Sequence, residues 1–101
     1  MDDTLPNSVE VCRTAQRMLS EPDRFWNDID AYVLLVAGDL AKLLRNEDGR
    51  ARRFKEELLD AGQRGSAMQR AVAARLIQRI ESALGVKLVS ERPPGPQPRG
   101  L

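Results

Sequence analysis

The stretch from Phe25 to Leu44 constrains this chain more than any other, because Phe25, Ile29, Val33, Val36, Leu40 and Leu43 recur at intervals of three and four residues. A half-buried strand alternates apolar and polar residues, so this period calls for a helix with one apolar stripe. Trp26, Tyr32, Ala37 and Leu44 flank the stripe. Leu34 falls on its far side, and Leu35 lies well outside it, close to Ala31. A helix that is apolar on more than one face is either central in its bundle or in contact with another chain.

This helix is expected over roughly residues 21–47, with Ser20 as cap, Pro22 in the first turn and Asp23 as the reciprocal acceptor of a capping box. It should stop near Asp48 and Gly49. Before it, Asn7 or Ser8 caps a helix over roughly 8–19, in which Val11, Cys12, Ala15, Met18 and Leu19 share a face. After it, Ala51, Phe54, Leu58 and Ala61 mark a short amphipathic helix over roughly 51–61, followed by a glycine loop from Gly62 to Ser66. Ser66 then caps a helix over roughly 66–84 with Val72, Ala73, Leu76, Ile77, Ile80, Ala83 and Leu84 on a broad face. Gly85 ends it, with Val86 placed for the apolar contact of a C-terminal cap. The expected fold is therefore all-α, a compact bundle of about four helices forming one domain over residues 1–89. Residues 90–101, rich in proline and glycine, are expected to be a disordered or polyproline-like tail.

Size agrees with one domain. At 101 residues a single unit buries roughly 60 to 70% of the surface its unfolded chain exposes, enough for one core and not two. The N-terminal segment from Met1 to Pro6 lacks the basic start and apolar run of a secretion signal, and a lone cysteine forms no internal disulfide. A cytoplasmic setting is expected. The longest apolar run, Ala31 to Ala37, is far short of the roughly 20 residues that span a bilayer, so no membrane partner is expected.

Catalysis is hard to build from this composition. There is no histidine, which removes the commonest general base and a frequent metal ligand, and one cysteine cannot make a thiolate cluster. Cys12 lies on the apolar face of its helix and is expected to be an inert packed thiol. Asp28 and Asp30 are two apart and so face different ways, while Asp39 borders the stripe and would need a partner if covered. Gly62 and Gly65 match neither phosphate-binding glycine pattern. No catalytic residue, metal or cofactor is expected.

Recognition is the remaining class. The net charge of +1 conceals two unlike halves: residues 1–48 carry ten acidic against five basic groups, and residues 49–101 carry five acidic against eleven basic. Such a chain can compensate internally, pair between copies or attract an anionic partner. Arg52, Arg53, Arg70, Arg75 and Arg79 form the candidate face for an anionic partner, and Arg75 and Arg79, four apart, form its stripe. A helix-turn-helix reading fits poorly, because the loop from Gly62 to Ser66 is long and Gln63 stands where an apolar residue should pack. The aliphatic excess points elsewhere. Leu34, Leu35, Ala31 and Leu59 are the candidate protein interface, for a homodimer or a larger host protein. The expected function is a non-enzymatic interaction module, a regulator, adaptor or inhibitor, by analogy with small proteins encoded by phages or plasmids. The alternative is a DNA-binding regulator using the arginines of residues 50–79.

Overall fold

The computed structural model describes residues 5–88, and the expectation for the tail at 90–101 lies outside that range. Among the described residues there are four long helices and one short one: α1 (Ser8–Ser20), α2 (Pro22–Phe25), α3 (Ile29–Arg45), α4 (Gly49–Arg64) and α5 (Ala67–Leu84). No strand occurs among them. The all-α bundle expected from periodicity is the observed fold.

Each long helix buries most of the face its spacing marked; Ala61, Ile77 and Leu84 are half-buried at its margin, and Ala83, expected on the apolar face of α5, is exposed. Val11, Cys12, Ala15, Met18 and Leu19 of α1 meet Ile29, Val33, Val36, Ala37, Leu40, Ala41 and Leu43 of α3, Ala51, Phe54 and Leu58 of α4, and Val72, Ala73, Leu76 and Ile80 of α5 in one core. Among the described residues no polar or charged side chain is buried with them. The core therefore carries no unpaired polar side chain to offset its apolar gain. α5 packs along both α3 and α4, and α1 lies against all three.

The expected helix over 21–47 is broken in two. Ser20 closes α1, its hydroxyl donating to the Arg17 carbonyl, so the capping box expected of Ser20 and Asp23 does not form; Glu21 stands at the cap without a side-chain bond. α2 runs only to Phe25, and Trp26–Asp28 form a 3-10 turn before α3 begins. Asn27 and Asp28 favour local turns over helix interior. The break also turns Phe25 edge-on to Tyr32, with ring centroids 4.9 Å apart. A straight helix would have kept Phe25 in the stripe; instead it is half-buried.

The end of α3 also departs from expectation. The left-handed residue is Glu47 (φ 58), and Gly49 is the first residue of α4. The Glu47 N–H donates to the Leu44 carbonyl and the Asp48 N–H to the Leu43 carbonyl, both at 3.0 Å, the paired bonds of a Schellman motif. Asp48 then accepts from the Ala51 N–H at 3.0 Å and so caps α4. A side chain in the left-handed region is strained, and glycine is not. Glu47→Gly should raise stability by about 0.5 to 1 kcal/mol and Tm by roughly 3 to 6 °C, read by thermal circular dichroism. An unchanged or lower Tm would mean that Glu47 makes contacts worth more than its strain.

α4 is longer at both ends than the expected 51–61, and the expected loop from Gly62 to Ser66 shrinks to Gly65 and Ser66. Gly62 stays helical because it packs: a methyl there would lie 3.6 Å from Ile77 and 3.7 Å from Ala73, at ordinary contact distance. A full capping box does form at the start of α5. Gln69 accepts from the Ser66 N–H and donates to the Leu19 carbonyl at 2.8 Å, tying the start of α5 to the end of α1. At the other end, left-handed Gly85 (φ 77) stops α5, but Val86 is exposed rather than packed. Leu88 takes that place, buried in the core, with its N–H held by Glu81 at 3.0 Å.

Candidate interaction surface

α3 buries one side and leaves the other open. On the open side Leu34 is 56% and Leu35 64% exposed, the largest exposures of any large apolar side chain on a helix of the bundle. Ala31, Lys42 and Arg45 are exposed there as well, and Gly38 is half-exposed. Ala31, Leu35, Gly38, Lys42 and Arg45 follow one another at alternating intervals of four and three, a continuous outward stripe on a helix. The sequence reading singled out Ala31, Leu34 and Leu35 but not Gly38, Lys42 or Arg45, although the same spacing marks them. Leu59 is different. It is half-buried and packs against the core, so α4 offers a partner less than α3 does.

The packing of α3 on α5 brings two separate sequence features together. Leu34, Ala37 and Gly38 of α3 line one groove with Arg79, Ser82 and Ala83 of α5, and Asp30 and Val33 line another with Ala74, Arg75, Gln78 and Arg79. Arg79 borders both. The Arg75 guanidinium sits over the Trp26 ring, 5.1 Å from its centroid, and donates to the Ala71 carbonyl. Arg45 donates to the Ala83 carbonyl at 2.7 Å, joining the end of α3 to the end of α5.

The five candidate arginines do not converge. Arg53 lines a groove between α1 and α4 with Arg13, Gln16 and Arg50, whereas Arg75 and Arg79 belong to the α3/α5 side. Arg52 and Arg70 are exposed. None of the five joins the ion pairs among the described residues, which are Arg24 with Glu21, Arg64 with Asp60 and Lys87 with Glu81. The α4/α5 turn is tighter than the sequence suggested, and the outward side of α5 presents Arg70, Ala74, Arg75, Gln78, Arg79 and Ser82, side chains that can meet phosphates or base edges.

Cys12 is 4% exposed, and burial, reinforced by nearby Asp48, pushes its thiol pKa up. A neutral thiol is a poor nucleophile. Asp28 and Asp30 are exposed and Asp39 is half-buried. Among the described residues no group of three or more potential metal ligands comes together, and no helix is long and apolar enough to cross a membrane.

Fold and surface together define an all-α helical bundle with one long helix only half covered by its own chain. No protein-family model, curated protein or solved structure matches it.

Proposed function

We propose that this protein is a non-enzymatic interaction module, a small regulator, adaptor or inhibitor that acts by binding protein through the outward face of α3. The observation that carries the reading is the exposure of Leu34 and Leu35 in the middle of that helix. Covering the remaining surface of each contributes about 1 to 2 kcal/mol to an association. Neither leucine contributes much to the fold, so their energetic value lies in a contact outside the chain. A lone cysteine, free and buried, is in keeping with a cytoplasmic setting, and the small size with the phage and plasmid proteins of this general type.

Replacing Leu34 and Leu35 together by glutamine should leave helical circular dichroism and Tm nearly unchanged while abolishing association, measured as mass by light scattering and as capture of a host protein by wild type but not by the variant. Association that survives the double change would overturn the reading. The second reading, a DNA-binding regulator, draws on the absence of Arg52, Arg53, Arg70, Arg75 and Arg79 from the ion pairs among the described residues. It requires binding that falls with salt at a slope of about −0.9 per phosphate contact. Tight duplex binding at physiological salt, lost on changing Arg75 and Arg79 to glutamate, would replace the first reading by the second.

A further inference from the structure

We infer that the occupant of the α3 face is a second copy of this chain, laid antiparallel along the first with its two-fold axis level with the turn from Leu35 to Gly38. This rests on the reading of α3 as the docking face and adds the partner and its orientation. The argument begins with charge. At the N-terminal end of α3 the acid, Asp30, stands exposed on the flank that borders α5, and the bases, Lys42 and Arg45, stand exposed at the C-terminal end, with Leu34, Leu35 and Gly38 between them. A face with acid at one end, base at the other and an apolar middle is complementary to itself reversed. In that arrangement Asp30 of each copy meets the basic end of the other, and the two helix dipoles also run in opposite directions. A parallel pair would set Asp30 against Asp30.

Gly38 gives an independent reason. Glycine inside a helix is about 1 kcal/mol less favourable than alanine. Nothing in the bundle uses its small size, since a methyl built there meets no atom within 4 Å. In the antiparallel pair, with the axis midway between Leu35 and Gly38, Leu35 of each copy lies against Gly38 of the other, where any side chain would hold the helices apart. The 17 residues of α3 span about 25 Å, so pairing along one helix gives an interface at the low end of the specific range and an affinity in the micromolar region.

Sedimentation equilibrium on the whole chain tests this. Wild type should be a micromolar dimer. Asp30→Lys alone and Lys42→Glu alone should each weaken it by about tenfold, because one surface pair is worth little but occurs twice by symmetry and turns from attraction to repulsion. An equimolar mixture of the two variants should recover near wild-type affinity. In the mixed dimer the lysine introduced at position 30 meets the glutamate introduced at position 42, and the native Lys42 of one chain meets the native Asp30 of the other. Gly38→Gln should be monomeric and have a higher Tm than wild type, which separates lost pairing from lost folding. A wild type that stays monomeric at millimolar concentration would overturn the second copy as occupant while leaving the Leu34 and Leu35 experiment on a host protein intact. A dimer indifferent to the charge changes, or one not rescued by mixing, would overturn the antiparallel α3 pairing.

Discussion

Leu76→Ala should lower the unfolding free energy by about 3 to 5 kcal/mol and Tm by roughly 15 to 30 °C. Leu76 has no exposed surface and stands in the middle of α5, the helix that packs along both α3 and α4. Truncating it removes transfer energy and opens a cavity that the rest of the core, Leu40, Leu58 and Val72 among it, can fill only by pulling three helices out of register. A domain of this size has a total stability on the order of 5 to 10 kcal/mol, so one such change consumes a large share of it. Urea unfolding monitored by circular dichroism measures the loss as a fall in midpoint at unchanged slope. A loss below about 1 kcal/mol would mean that α5 is not seated on the core as described. The contrast with Leu34 and Leu35 is direct: the same residue type, changed to glutamine on the outward side of α3, should scarcely move the midpoint.

Gly65→Ala should destabilise by about 1 to 3 kcal/mol, although the backbone there is ordinary extended chain. A β-carbon at Gly65 would lie 2.7 Å from the Ala61 carbonyl oxygen and 2.8 Å from the Gln69 β-carbon. Backbone oxygen cannot rotate away as a side-chain end can, so the turn itself must open. Opening it strains the capping box of Ser66 and Gln69 and the bond from Gln69 to the Leu19 carbonyl, so the effect reaches from the α4/α5 turn to the end of α1. Gly38→Ala is the control. With open space around it and helix on both sides, it should stabilise the monomer by about 0.5 to 1 kcal/mol. Two glycine-to-alanine changes of opposite sign in parallel urea titrations would confirm that surroundings decide the effect; a neutral Gly65→Ala would show that the turn relaxes freely.

The α3 face gives the bundle a division of labour that single substitutions can expose. Core positions such as Leu76 set stability and should leave association proportional to the folded fraction. Outward positions such as Leu35 and Lys42 set association and should leave stability nearly constant. The arginines lie outside this division, since Arg75 rests on Trp26 while Arg79 borders the groove beside Leu34. Arg79 is the residue through which the apolar and basic features of the surface are physically adjacent.

Periodicity by itself determined the four long helices and most of their inward faces, though not the break at Trp26–Asp28. Val11 to Leu19, Val33 to Leu43, Phe54 with Leu58, and Val72 to Ile80 are buried where their spacing placed them, because a helix can cover a stripe of apolar groups only by turning all of them to one side. The same arithmetic left Leu34 and Leu35 outside the core, and they are exposed. Where local signals competed, the sequence was ambiguous. Gly62 looks like a helix breaker but stays helical because Ala73 and Ile77, far along the chain, pack beside it. Ser20 looks like a cap but is the last residue of α1, and Leu88 gives no periodic signal since it follows the end of α5. The juxtaposition of Leu34 with Arg79, of Arg75 with Trp26 and of Arg45 with Ala83 was decided by tertiary structure alone. Each joins residues some 38 to 49 positions apart, and neighbours at that separation are chosen by how whole helices pack, a choice that no short window of sequence encodes.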